Sequence, residues 1–318
     1  MRHVKKEPRQ RWHTTALVDT RTHPTAISPA DPSPNKQSTV PPRPKLRLQI
    51  NDLRHPGSDA FLLLVPDVAS TIDKALADII ENLYTPPGSQ DEPHTVTTSK
   101  GPTPTFTPSI PPTRSVTFFL RDIGGVAYTT GMELDDDHKE IHVSLQYIHT
   151  AMKLRDPRAE IVGVLTHELV HCYQHTAPRQ DNVSVPRPPG GLIEGIADFV
   201  RLKAGFVPPH WKRPTSAQER ADKWDQGYQH TAFFLEWLED VRIGKGAVGM
   251  LNDRLLRSGY IGESETLENG RPGFWKNLFG SGVDELWDDY GKYLDGHVQM
   301  ITDRSGRDWE DEIVNPSE

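Results

Sequence analysis

The chain has 318 residues, 28 of them proline, with only 35% hydrophobic side chains and a formal net charge of -8. Residues 1–47 carry ten Lys/Arg against three Asp/Glu, leaving 26 against 41 for the rest, so a basic arm precedes an acidic body. That balance argues against nucleic acid as the main partner, because phosphate binding needs clustered Lys and Arg, and with so low an apolar content part of the chain is expected to join no core.

Residues 1–45 hold eight prolines and no sustained periodicity. They cannot bury enough apolar area to offset the entropy of ordering, and a disordered basic arm is expected there. Tethering to nucleic acid is the alternative use of such an arm, and it would require binding that falls steeply with salt. The first twenty residues contain no apolar run of the length a secretory signal needs, and no segment is long enough to span a bilayer. The expectation is a cytoplasmic chain. Cys172 is the only cysteine, which excludes an intrachain disulfide.

A single domain is expected over 46–302. LRLQIND alternates apolar and polar residues as a half-buried strand does, and DVASTIDKALADIIENLY carries a 3.6-residue apolar stripe, which predicts strand, loop and helix. Residues 86–114 hold another eight prolines and are expected to be a disordered insertion. SVTFFLRDI and EIHVSLQYI, at 115–123 and 140–148, are two further strand candidates. Helical periodicity follows at 159–176, 191–205, 217–242, 246–257 and 283–300, and 303–318 is a polar tail. A small sheet followed by a helical half is an α+β arrangement.

His167, Glu168 and His171 form the pattern H-E-x-x-H. One helical turn separates the histidines, so both imidazoles share a face and can share a tetrahedral zinc, with Glu168 beside them. Val162, Leu165, Leu169, Cys172 and Tyr173 make an apolar stripe that the histidines do not fill. With fourteen histidines in the chain, the pattern could arise by accident, and a third ligand decides. His175 lies eight residues from His167, about 12 Å along a helix, too far for one zinc. Glu194, in GGLIEGIADFVRLKAG, completes a His/His/Glu set and leaves a fourth position for water. Asp198, one turn on, can accept from the far ring nitrogen of a liganding histidine. The plainer alternative is an exposed helix face with Asp198 pairing Arg201. Cys172 falls in the apolar stripe and is expected to be buried and inert. Tyr228 and His230 are candidates to stabilise an oxyanion, against ordinary core or surface roles.

The stretches THELVHCYQH, GGLIEGIADFVRLKAGF, DQGYQHTAFFLEWLED and FWKNLFGSGVDELWDDY resemble, in that order, the plant basic secretory protein family of zinc peptidases. IGGVAYTTG and EIHVSLQYI resemble the strand region upstream of the motif in that family. The resemblance covers about residues 46–86 and 114–300. It implies a zincin-like fold, with a small mixed sheet over the motif helix and a helical C-terminal half. It also implies His167, His171 and Glu194 as ligands of Zn2+, Glu168 as general base, and Asp198 as the acid of the gluzincin pattern. Typical plant members are secreted and basic, whereas this chain has a net charge of -8 and is not expected to carry a signal sequence, so their localisation is not carried over.

The expected function is therefore zinc-dependent hydrolysis of peptide or protein substrates, with Glu168 and Tyr228 as the catalytic side chains and the chain acting as a monomer. Strand 140–148 is expected to be a sheet edge over the cleft. A catalytically silent zincin-fold binding protein is the alternative, against which the intact Glu168 counts, since a structural site has no use for a general base.

Overall fold

The computed structural model of the protein describes residues 43–87, 104–132, 134–178, 186–263 and 270–305, with the backbone alone at 297–305. The expectations for most of the N-terminal arm, for the middle of the Pro/Thr-rich insertion and for most of the C-terminal tail lie outside these residues.

The elements run β1 (Lys45–Ile50), α1 (Pro56–Leu64), α2 (Val68–Tyr84), β2 (Ser115–Arg121), β3 (Ala127–Met132), β4 (Asp135–Ser144), α3 (Leu145–Ala151), α4 (Pro157–His171), α5 (Gly190–Lys203), α6 (Tyr228–Trp237), a π-helical turn (Leu238–Arg242), α7 (Ala247–Ser258), α8 (Phe274–Phe279) and α9 (Val283–Ser305). This is a mixed α+β molecule whose four-stranded sheet has the order β1-β2-β4-β3. β1, β2 and β4 are parallel, and β3 is antiparallel at the edge. Val116, Phe118 and Leu120 of β2 are wholly buried and alternate with half-buried Thr117, Phe119 and Arg121, the period expected of a strand with one face on the core. The register sets Phe118 against Ile141 and Leu120 against Val143, so two apolar rows meet. Ile72 and Ile79 of α2, Leu165 and Leu169 of α4, Phe199 of α5, Phe234 of α6 and Trp275 of α8 belong to the same core cluster.

The strand predicted at 46–52 and the helix predicted at 67–84 are present, but the stretch between them is α1 rather than loop. His55 caps it, its Nδ1 accepting from Gly57 N at 3.0 Å, and Pro56 sits in its first turn. Leu62 and Leu63 stay exposed, so this helix carries no clean apolar stripe. EIHVSLQYI is strand only as far as Ser144, whose hydroxyl accepts from Tyr147 N at 3.2 Å and starts α3. This strand, β4, also lies inside the sheet. The edge belongs to β3, because the chain returns as an antiparallel hairpin before β4 pairs β2. The helix expected over 217–242 begins only at Tyr228, since Gly227 with φ 89° and Tyr228 with φ 46° turn the chain there. Residues 104–114 run as extended chain against the body, with Thr113 buried and Arg114 N donating to Asp137 O at 2.7 Å. Among the described residues no helix is long and apolar enough to cross a membrane.

α4 begins at the Asp156 cap, which accepts from Ala159 N at 2.9 Å, and every residue from Glu160 to Val170 is buried. The stripe of Val162, Leu165, Leu169, Cys172 and Tyr173 is buried as expected, but so is the opposite side of the helix, because α5 and β3 cover it. α5 and α6 approach closely at Gly195, where an added Cβ would stand 2.3 Å from Thr231 Cγ2. Thr231 has no room to turn away, since its hydroxyl donates to Trp224 O at 2.7 Å and accepts from Gly227 N at 3.0 Å. Gly195→Ala should therefore destabilise the fold by about 1–3 kcal/mol through overpacking. Urea denaturation measures this, and a loss below about 0.5 kcal/mol, the size of an ordinary surface change, would show that the two helices slide apart freely.

Candidate metal centre

A cavity of about 960 Å³ opens between β3, α4, α5 and the 226–230 turn. α4 delivers His167, Glu168 and His171 to it, and α5 delivers Glu194 and Asp198. His167 Nε2 lies 3.1 Å from Glu194 Oε2 and 3.2 Å from His171 Nε2, and the third separation, His171 Nε2 to Glu194 Oε2, is 3.8 Å. Ligands bound at 2.0–2.1 Å around one tetrahedral zinc stand roughly 3.3 Å apart. The three donor atoms are therefore spaced as such a set requires, and among the described residues they are the one group of His, Cys and carboxylate side chains placed to hold a metal.

The far side of each histidine is also engaged. His167 Nδ1 donates to Asp198 Oδ1 at 2.7 Å, with Asp198 only 2% exposed. This bond takes the carboxylate that the alternative reading of α5 gave to Arg201. Arg201 instead pairs with the buried Glu160 at 3.1 Å, and Tyr147 Oη donates to the other oxygen of Glu160 at 2.7 Å. His171 Nδ1 faces the side-chain amide of Gln174, 2.6 Å from Nε2.

These contacts set the charges. Burial opposes the His167 imidazolium, but the hydrogen bonds to Asp198 and Glu194 outweigh it and raise the group to about 9. Burial and the charge on His167 bring His171 down to about 4, although Glu194 pulls the other way. Burial raises Glu168 above the usual carboxylate range, with His167 and the hydroxyl of Thr129 only partly offsetting it. That hydroxyl lies 2.7 Å from Glu168 Oε2 and 2.9 Å from its backbone carbonyl, so β3 grips the carboxylate.

Tyr228 enters from the opposite wall. Its ring lies nearly parallel to that of His167, with centroids 6.3 Å apart, and the residue is 58% exposed. It is the one non-glycine residue at positive φ among those described. Gly191 explains the double glycine at the start of α5: a Cβ there would fall 1.7 Å from Asp225 O, so the chain ahead of Tyr228 packs directly on the α5 backbone. His230 lines the same cavity.

His175 is not part of the cluster. It is buried elsewhere, with Nε2 2.8 Å from Ser109 O and its backbone N–H donating to Asn252 Oδ1. Cys172 is buried, and burial pushes its thiol well above the ordinary range, so it is inert. Thr129, Gln174 and the Glu160–Arg201 pair carry no local signal at the sequence level. Thr129 reaches Glu168 only through the placement of β3, and the i,i+3 spacing of Asp198 and Arg201 pointed to a different partner.

The family model for BSP, peptidase of plants and bacteria, matches residues 43–290. No curated protein and no solved structure matches the chain.

Thr129 gives the centre a direct check. Its hydroxyl favours the charged form of Glu168, so Thr129→Val should raise the carboxyl pKa further. A ¹³C carboxyl titration of the metal-free protein follows the group. A midpoint that stays put or falls would mean the hydroxyl serves only the backbone carbonyl.

Proposed function

The chain belongs to the peptidase family of plants and bacteria, and from that premise we propose that it is a zinc peptidase with Glu168 as general base. The observation that carries the reading is the convergence of His167 Nε2, His171 Nε2 and Glu194 Oε2 beside a buried carboxylate in one cleft. Two imidazoles and one carboxylate suit zinc, and three protein ligands leave the open position that a catalytic site keeps. When bound, zinc would polarise the scissile carbonyl and make a water acidic near neutral pH.

The protein's own groups divide the rest of the work. Glu168 takes the proton of the attacking water and passes it to the departing amine, and its raised pKa suits both transfers. Thr129 fixes the carboxylate it would otherwise leave free to rotate. Asp198 holds His167 with Nδ1 protonated and Nε2 turned to the cluster. Tyr228 donates its hydroxyl to the oxygen that becomes negative as the carbonyl carbon turns tetrahedral. The neighbouring carboxylates raise the pKa of that hydroxyl, Glu194 most of all, which keeps it protonated as a donor needs to be.

The substrate is a peptide, which the cleft would receive in extended form. Ala127, Tyr128 and Thr129 of the edge strand β3 line the cavity, and no strand pairs with the outer side of β3 among the described residues. A peptide backbone laid along that edge adds a strand to the sheet. We take the mixed sheet over the motif helix as the zincin arrangement on the same grounds.

Hydrolysis of a mixed peptide library, followed by mass spectrometry, tests the reading. Cleavage is expected from the wild type alone, and neither chelator-treated protein nor Glu168→Gln should cut, although Glu168→Gln should still bind zinc. An active Glu168→Gln would sink the assigned base. Tyr228→Phe should lower kcat about 10²-fold with KM and zinc content little changed, and an unchanged kcat would return Tyr228 to a packing role.

A further inference from the structure

Gln174 follows the motif helix by three residues. α4 ends at His171, and the chain then tightens, with Tyr173 N and Gln174 N both donating to Val170 O, at 2.8 and 2.7 Å. That turn lays the Gln174 side chain over the far face of His171, where the amide nitrogen Nε2 stands 2.6 Å from Nδ1. The amide oxygen Oε1 is buried and has no hydrogen-bond partner among the described residues. Both facts bear on the same ring.

With the amide nitrogen against it, Nδ1 must accept, and neutral His171 then carries its proton on Nε2. Yet Nε2 is the atom that faces His167 Nε2 at 3.2 Å and Glu194 Oε2 at 3.8 Å. A protonated Nε2 cannot hold a metal, because a liganding imidazole offers a lone pair there and keeps its proton on the other nitrogen. The two ends of a side-chain amide are nearly equal in shape and exchange by a half-turn about the last torsion. The half-turn places Oε1 against Nδ1 and supplies the donor that the oxygen lacks. A separation of 2.6 Å is also closer to an ordinary N–H···O distance than to a contact between two nitrogens. Because the oxygen is buried, it has no water to satisfy it, and an orphaned acceptor there is costly.

We propose that Gln174 is the positioning residue for His171: its amide oxygen accepts the Nδ1 proton and so fixes the tautomer that turns the Nε2 lone pair toward His167 and Glu194. The centre then has two orienting groups, Asp198 behind His167 and Gln174 behind His171, one charged and one neutral. A neutral acceptor behind the second histidine holds the tautomer without adding a further negative charge to a site that already contains Glu168, Glu194 and Asp198. This inference rests on the reading of the cluster as a metal centre.

The test is zinc affinity, measured by competition against a chromophoric chelator on the full-length protein, with thermal unfolding in chelator to confirm folding. Gln174→Met keeps the length of the side chain and removes the acceptor, and it should bind zinc about 10–100-fold more weakly. Gln174→Glu offers only oxygens and should bind zinc at least as tightly as the wild type, a rescue that a packing role would not produce. Gln174→Met within twofold of the wild type, or Gln174→Glu as weak as Gln174→Met, would overturn the proposal. Should Gln174→Met fail to fold, Gln174→Glu decides alone, and a tenfold loss there overturns it. A wild type that takes up no zinc would sink the metal reading and this inference together. A wild type that binds zinc with both variants unaffected would sink only the role of Gln174.

Discussion

The hydrogen bond from His167 to Asp198 is the contact on which the centre depends. Both groups are buried, and α4 supplies one while α5 supplies the other, so a single 2.7 Å bond fixes the rotation of two helices about their axes. A buried carboxylate left without that donor would be strongly unfavourable, which makes the relative setting of α4 and α5 a requirement and not a preference. Once it is met, Glu194, one turn before Asp198 on α5, is brought beside His167 Nε2, at 3.1 Å. The Glu160–Arg201 pair repeats the link farther along the same two helices, and the two rungs together suppress sliding as well as rotation.

Most of this centre was legible in the sequence because helical spacing is a local property. His167, Glu168 and His171 fall on their face by periodicity alone, and Glu194 and Asp198 do likewise on the next helix. Contacts between elements were less legible. Asp198 and Arg201 have the spacing of an i,i+3 pair, yet Asp198 is claimed by His167 and Arg201 by Glu160, since in a buried setting the partner that also satisfies the backbone and the neighbouring helix prevails. Thr129 has no signature at all, being one threonine of a strand whose position over Glu168 follows from the hairpin.

The fold shows the same division. The strand at Lys45–Ile50 and the helix at Val68–Tyr84 follow their periodicities, whereas α1 and α3 are short helices begun by single capping side chains, His55 and Ser144. The helix expected over 217–242 starts late because the chain must first pass the α5 backbone at Gly191 and then turn through Gly227 and Tyr228. Holding a tyrosine at positive φ costs on the order of 1 kcal/mol, and the fixed Thr231 hydroxyl beneath it is what the turn has to set against that cost.

Gly163 lies on α4 between the two rungs, and a Cβ there would meet Arg201 Nε at 2.6 Å. The missing side chain is the space in which the guanidinium lies. Positions 163, 201 and 160 consequently cannot drift independently over evolutionary time. A larger residue at 163 displaces the Arg201 guanidinium and leaves the buried Glu160 with the Tyr147 hydroxyl but without its cation, so each single step from the present state is penalised although a fully apolar trio would pack acceptably. The molecule is held at its present solution by the order in which changes must occur, and a natural variant that lost the arginine would be expected to have lost the glutamate with it.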